Sequence, residues 1–365
     1  MTYLLDNYKK RAKELGKSDA FIKETSKYIN TLTAQQLPVI FSLPHLCLSS
    51  TVSIRHTVQV CESNRRDFYK RFKIKKKRGG YRVIQTPTNE LKYLQKWILV
   101  NILEKVPSHS ASKGFEKNLS IKDNAECHLN ANCILKIDLL RFFDSINERR
   151  IYGIFKSLGY RENLCVYFAK ICTIEQDEAF FKAFKKNEQT LKEYLIEKNE
   201  GILPQGAPSS PKLSNLILRR LDYRLSRLCE KRKINYSRYA DDLTFSGNEE
   251  DLKKIKKIAY KIIQSENLFV NFGKTRFLKR GSPFYVTGLS IHNDKVKVIG
   301  RKKKEIEHHL YHCHKNGVVG HLTRAGITNK NFKDWLFGSI CFVYSIEPEI
   351  GQTFFDKFNK INWPL

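Results

Sequence analysis

The sequence predicts an α+β fold: helical apolar spacing at both ends of the chain encloses a middle region of short alternating strands and helices, two of the strands meeting at a Gly-Gly turn. Residues 1 to about 65 read as helical. Tyr3, Leu4, Tyr8, Ala12 and Leu15 recur at near-helical spacing, and Ser18 is placed to cap a segment carrying Phe21, Ile22, Thr25 and Ile29. This stretch is expected to dock rather than to do chemistry. From Phe72 a basic strand runs to the Gly79-Gly80 turn and returns as Tyr81 to Gln85, a hairpin signature. Thr88 then caps a helix with Leu91, Leu94, Ile98 and Ile102 on one face. Ile134 to Leu139 and Ser237 to Phe245 are the best strand candidates. Between them Ser210 caps and Pro211 opens a helix in which Leu213, Ile217, Leu221 and Leu225 repeat every four residues. The charged, irregular segment Glu175 to Gly201, with Phe180, Phe181 and Phe184 as its apolar cluster, reads as an insertion or a surface helix. After Phe284 a hairpin is expected, with Val286 and Leu289 before an Asn293-Asp294 turn and Val296 and Val298 after it; from Arg301 the pattern is helical again.

With 41% hydrophobic residues in 365, the chain can bury a substantial core without staples. Lys and Arg number 66 against 37 Asp and Glu, a formal charge of +29. Such a field attracts polyanions, and its cost in self-repulsion argues against a mere solubility role, so nucleic acid is the expected partner. The nine cysteines contain no CxxC pair, which fits a reducing compartment, and a cytoplasmic location is expected. The most apolar stretch, Leu37 to Leu48, is short and carries Pro38 and Pro44, so no membrane contact is expected.

Two carboxylates stand together in Tyr239-Ala240-Asp241-Asp242, at a turn between two strands. Asp-Asp pairs are common solvated turn residues, so this alone says little. A third acid, Asp138, ends the apolar strand Ile134 to Ile137, which could pair beside the first two. Three convergent carboxylates suit a hard cation such as magnesium, and two ions about 3.5 to 4 Å apart would serve an in-line displacement at phosphorus. The chemistry indicated is nucleotidyl transfer.

These motifs resemble those of reverse transcriptases, and the flanking sequence is similar to the retron branch of that family, from about Phe68 onward. The resemblance implies a right-hand polymerase with an N-terminal helical extension (1–65), fingers and palm with an antiparallel catalytic sheet (66–298, insertion at about 175–201) and a helical, RNA-binding thumb (299–365). It implies Asp138, Asp241 and Asp242 as catalytic residues, with two Mg2+ ions held around Asp138, Leu139, Asp241 and Asp242, and deoxynucleoside triphosphates as substrates. Phe143, five places after the first aspartate, matches the aromatic gate that excludes a 2'-hydroxyl; the other reading is that Phe143 is ordinary core, and one of Phe142 and Phe143 is expected to be. Lys76 and Arg82 match the residues that hold the triphosphate, a task suited to a point charge and a forked guanidinium; Lys73, Lys75 and Lys77 read as a solvated face. Leu203-Pro204-Gln205-Gly206 matches the loop facing the new base pair, with Gln205 and Gly206 as nucleotide contacts. Asn271 and Lys274 match a further palm motif, with Lys274 near the leaving pyrophosphate or on the open surface.

Two short features resemble the retron branch in particular: the NAxxH box Asn124-Ala125-Glu126-Cys127-His128, and the triplet Val286-Thr287-Gly288. Asn124, His128, Tyr239, Val286, Thr287, Gly288, Arg301, Lys302 and Lys303 are accordingly expected to contact nucleic acid. The branch implies a cognate noncoding RNA, priming from a guanosine 2'-hydroxyl, a branched RNA-DNA product called msDNA, and a separate effector protein in antiphage defence. The insertion is a candidate docking surface for that effector. The alternatives are a group II intron-like or diversity-generating reverse transcriptase, or a catalytically silent nucleic-acid-binding protein. Intron enzymes continue into further regions past the thumb, whereas this sequence stops at Leu365, and the intact acids argue against a silent protein. His308, His309, His312, Cys313, His314 and His321 cluster in sequence, but no second ligand pair occurs at finger spacing, so no structural zinc is expected.

Overall fold

The computed structural model describes residues 2–364 apart from 77–78, 280, 282–283 and 293, with side chains from residue 5 onward. Lys77 and Asn293, named in the expected strand and turn, lie outside the described residues. The N-terminal stretch forms α1 (Thr2–Glu14), α2 (Asp19–Ala34), α3 (Leu43–Ser50) and α4 (Ile54–Glu62). Ser18, Ser42 and Ser53 cap the last three by accepting a backbone N–H, as short hydroxyl side chains do at a helix start. The hairpin β1 (Tyr69–Lys75) and β2 (Tyr81–Pro87) follows, then α5 (Asn89–Asn101), α6 (Ile121–Glu126), β3 (Cys133–Asp138), α7 (Glu148–Ser157) and α8 (Glu162–Ile171). The expected insertion holds α9 (Glu178–Lys182) and α10 (Gln189–Lys198). Next come α11 (Ser210–Ile217), α12 (Arg219–Glu230), the hairpin β4 (Asn235–Tyr239) and β5 (Asp242–Gly247), α13 (Glu249–Ser265) and β6 (Arg276–Lys279). The chain closes with β7 (Phe284–Val286), β8 (Leu289–His292), β9 (Lys295–Val298), α14 (Gly300–Asn316), α15 (Val318–Arg324), α16 (Phe332–Ile346) and α17 (Pro348–Asn359).

The central sheet has the order β4-β5-β3-β6, every pair antiparallel. Alternation on β3 sends Cys133, Leu135 and Ile137 into the main apolar core. Ile134, Lys136 and Asp138 take the opposite face, where their cross-strand partners are Ser246, Thr244 and Asp242, and those of β5 in turn are Asn235, Ser237 and Tyr239. One face is therefore apolar and anchored, while the other carries acids at one end and hydroxyls toward the other.

Three local expectations differ in the structure. The helix expected from Ser210 through Leu225 is two helices that break at Leu218, and Ser209, not Ser210, stands at its cap position without a side-chain bond. The four-residue repeat continues across the break because Leu213, Leu221 and Leu225 all reach the same core. The hairpin after Phe284 is a three-stranded sheet whose first turn is Thr287-Gly288, both at positive φ (48° and 84°), the pattern of a type I' turn. That sheet packs with α14, α16 and α17 in a second apolar cluster, so the expected boundary between 298 and 299 falls inside a packed body; Ala125 and Ile134 join the same cluster. The insertion is braced rather than free. Leu191 and Leu195 are in the main core, Phe180, Phe181 and Phe184 pack against it, and Arg71 pairs with Asp177 at 2.6 Å.

Candidate active site

The register of two antiparallel pairs assembles the acids. Asp138 stands opposite Asp242 across β3 and β5, and Asp241 forms the β4-β5 turn with Ala240, whose φ is +55°. The Leu139 amide donates to the Asp241 carbonyl at 2.9 Å, tying the end of β3 to that turn, while the Leu139 side chain is buried. Asp138 accepts hydrogen bonds from Asn271 Nδ2 (3.1 Å) and from Lys274 Nζ (2.9 and 3.0 Å); the Asn271 amide holds the Asp138 carbonyl at 2.8 Å. Lys136, two residues before Asp138 on the same face, pairs with Asp242 at 2.6 Å. Burial, then the charge of Asp138, pushes the Asp241 carboxyl above its ordinary range. Burial likewise raises Asp242, against the opposing pull of Lys136. Because Asp138 turns to Lys274 and Asp242 to Lys136, the three side chains are not drawn onto one point, and no trio of His, Cys, Asp or Glu among the described residues is.

Beneath the turn lies a buried polar frame that the sequence did not reveal. Arg238, fully buried, forks onto Asp222 (2.8 and 2.7 Å), bonds Asn215 (3.0 Å) and reaches the Ala240 carbonyl (3.2 Å). Burial alone would lower the Arg238 pKa, but Asp222 outweighs it and the guanidinium is held more firmly charged. Asn215 also donates to the Gly114 carbonyl at 2.8 Å. A Cβ on Gly114 would lie 2.9 Å from the Ala240 nitrogen, so only glycine lets this segment run against the turn. Phe115 then stands between Phe143 (ring centroids 6.5 Å) and Tyr239 (6.2 Å). The Asp222 and Arg238 signal was invisible because the partners sit on separate elements, α12 and β4, and neither local pattern marks their burial; Lys136 was readable from strand alternation.

The remaining expected residues divide. Phe142 is core, while Phe143 is half-buried and meets Phe115. Ile74 pairs with Arg82 and Phe72 with Ile84, and Lys76 closes the turn by bonding Gly80, so Lys76 and Arg82 share one face of the hairpin and both are exposed. The loop carrying Gln205 and Gly206 is fastened to that hairpin: the Gln85 amide donates to the Gln205 carbonyl at 2.8 Å, and a Cβ on Gly206 would meet Ile84 Cγ2 at 2.8 Å. Lys302 lies over the Trp335 ring at 4.6 Å, Lys303 is held by Glu347 at 2.9 Å, and Arg301 is exposed. Asn124, His128 and Val286 are buried, with polar atoms bonded inside the protein, so they present no surface for the nucleic-acid contact expected of them. In the histidine cluster His309 Nδ1 lies 2.9 Å from His321 Nε2, and His309 packs edge-on to Phe332 and Trp335.

The reverse transcriptase (RNA-dependent DNA polymerase) family matches residues 74–303. The chain belongs to this family. The polymerase is 36% identical over 309 residues to the retron Ec86 reverse transcriptase of Escherichia coli, covering 82% of this chain and 88% of that one. It is 30% identical over 306 residues to the retron Mx162 reverse transcriptase of Myxococcus xanthus, covering 80% of this chain and 61% of that one. A solved structure of apo telomerase from Candida tropicalis aligns with TM-score 0.43 at 15% identity, over 81% of this chain and 58% of that one. The protein is thus an RNA-directed DNA polymerase of the retron type, and its α+β fold is the right-hand one with fingers, palm and thumb. No helix among the described residues is long and apolar enough to cross a membrane.

Proposed function

We propose that this reverse transcriptase copies its own cognate noncoding RNA into msDNA, starting from a guanosine 2'-hydroxyl, and that Asp138, Asp241 and Asp242 are its catalytic acids. The observation that carries this reading is the Asp138–Asp242 cross-strand pair beside the Asp241 turn, three acids at one end of an otherwise anchored sheet. The attacking hydroxyl oxygen forms a bond to the α-phosphorus of the incoming deoxynucleotide, the bond to pyrophosphate breaks, and the hydroxyl proton is released.

The donor set suits divalent magnesium in kind, three hard oxygen donors at one end of the sheet; Asp138 turned to Lys274 and Asp242 turned to Lys136 would have to release those lysines to share an ion. When bound around Asp138, Leu139, Asp241 and Asp242, a pair of such ions would activate the hydroxyl and offset charge on the phosphates. On the chain's own side, Lys76 and Arg82 grip the triphosphate from the fingers. Gln205 and Gly206 meet the nucleotide where their loop is clamped to β2, and Phe143 fills the space below the sugar. Lys274 sits on Asp138, within reach of the phosphates as well as of the acid. Tyr239 and Phe115 extend the aromatic floor toward the primer.

The thumb, with Arg301 among its exposed basic residues, holds RNA stems by phosphate contact. The defence role with a separate effector, and a cytoplasmic location, follow from the retron branch; the exposed Ile196 on α10 marks an outward face for that effector. The test is co-purification from the native host, RNase treatment and electrophoresis of the remaining nucleic acid. A discrete short DNA joined to RNA, lost in Asp241→Ala, is expected. A wild-type preparation that extends primers yet carries no such DNA overturns the msDNA reading.

A further inference from the structure

The two retron-type motifs meet each other inside the protein. Asn124 and His128 come from α6 and the turn after it, and Thr287 from the β7-β8 turn, yet their polar atoms form one chain with two palm strands. His128 Nδ1 lies 2.7 Å from Ser246 Oγ on β5, and His128 Nε2 lies 2.7 Å from Ser237 Oγ on β4. Ser237 donates to Asn124 Oδ1 at 2.7 Å, Asn124 Nδ2 donates to Thr287 Oγ1 at 3.4 Å, and Thr287 donates to the Ile121 carbonyl at 3.1 Å.

A hydroxyl has one hydrogen to give, which fixes the direction of the whole chain. Ser237 gives its hydrogen to Asn124, so it must accept from His128 Nε2–H; His128 Nδ1 is then the acceptor for Ser246. Each of the five bonds donates in the same sense along the chain, from Ser246 on the palm through Thr287 to the Ile121 carbonyl of α6. Asn124, His128, Ser237 and Ser246 are essentially inaccessible to solvent, and a buried chain of this kind is costly to break at any link.

The position of the chain matters as much as its burial. Ser246 and Ser237 lie on the same sheet face as Asp242 and Asp138, so α6 covers the lower half of the face whose other end carries the acids. The thumb sheet packs on the other side of α6, where Ala125, Ile134, Val286 and Leu289 share one apolar cluster. Ser120 and Asp123 hold the short α6 in place with a reciprocal capping box. Thr287 sits at φ +48°, a strained region for a β-branched side chain, at a turn position that Asn or Gly would fill without cost. What threonine adds there is the hydroxyl that Asn124 and Ile121 share.

We propose that the NAxxH box and the Val-Thr-Gly turn are one buried joint that fixes the thumb against the palm, and that Asn124, His128 and Thr287 are positioning residues setting where a thumb-bound template–primer lies relative to the acids. Thr287→Val keeps the shape and removes only the hydroxyl, leaving Asn124 Nδ2 without its Thr287 acceptor. On poly(rA) template with oligo(dT) primer, this variant is expected to raise KM for template–primer about tenfold, the scale of one unpaired buried hydrogen-bonding group. Its kcat and its KM for dTTP stay at wild-type values, and products made after a heparin trap become shorter. Thr287→Ser restores both readouts, and Ser246→Ala, at the palm end of the chain, gives the same split as Thr287→Val. Wild-type KM and trap-limited length in Thr287→Val overturn the joint. So does a fall in kcat that merely follows the loss of folded protein and is shared by Thr287→Ser. If Thr287→Val yields no folded protein, Ser246→Ala decides by the same two readouts.

Discussion

Phe142 and Phe143 are neighbours in sequence with different surroundings. Phe142 is 3% exposed and belongs to the main core, whereas Phe143 is half-buried, tilted against Phe142 at 5.2 Å and facing Phe115. Placed five residues beyond the β3 aspartate, an aromatic edge would leave little room for a 2'-hydroxyl on the incoming sugar in the gate role proposed for it. Phe143→Ala should therefore admit ribonucleotides, reducing sugar discrimination by about tenfold or more in single-nucleotide primer extension, the scale expected when a steric contact worth roughly 1 to 3 kcal/mol is lost. Unchanged discrimination would remove the gate role from Phe143. At this scale the acids were legible because their spacing, strand and turn context occur together in the sequence. Lys136 was legible in principle, since period-two alternation places it beside Asp138. Asn124 and His128 were misread because a local motif carries no record of its burial: their partners Ser237, Ser246 and Thr287 lie more than 100 residues away.

The elements show a similar division between local and distant causes. The fingers hairpin could be read from Gly79-Gly80 and flanking alternation, and the cap of α2 from Ser18. The Thr287-Gly288 turn could not, because threonine is a rare choice where both central residues need positive φ. Nor could the frame beneath the β4-β5 turn, where α12 supplies Asp222, α11 supplies Asn215 and β4 supplies Arg238 and Tyr236. A buried ion pair of this kind adds little net stability against an apolar core, but removing one partner strands the other. Asp222→Asn should accordingly cost about 3 to 5 kcal/mol of unfolding free energy, because Arg238 keeps its charge with no carboxylate to receive it. Urea denaturation of the variant and of an Asp222→Leu/Arg238→Met double variant checks this. The double variant should recover most of the loss; equal destabilisation of both would mean that the pair is not what holds the turn.

Across the whole molecule, a chain with two apolar clusters, the second reaching Ala125 and Ile134, carries a formal charge of +29, and much of that charge is already engaged. Lys303 is held by Glu347, Lys136 by Asp242, Lys274 by Asp138 and Lys212 by Glu116, whereas Arg301 is exposed. Sequence counts therefore overstate the charge free to meet phosphate. Binding to RNA should still be strongly salt-dependent, since each neutralised phosphate releases condensed counterions and adds about 0.7 to the slope of log affinity against log salt for a single strand. Measured with oligo(U) by fluorescence anisotropy between 50 and 200 mM salt, roughly six such contacts would weaken affinity by about three-hundredfold. Arg301→Ala should lower the slope by about one phosphate's share, and Lys303→Ala should leave it nearly unchanged because its ammonium is committed to Glu347. The reverse order, with Lys303→Ala flattening the slope and Arg301→Ala silent, would show that the Glu347 contact opens when RNA binds and that Arg301 lies off its path.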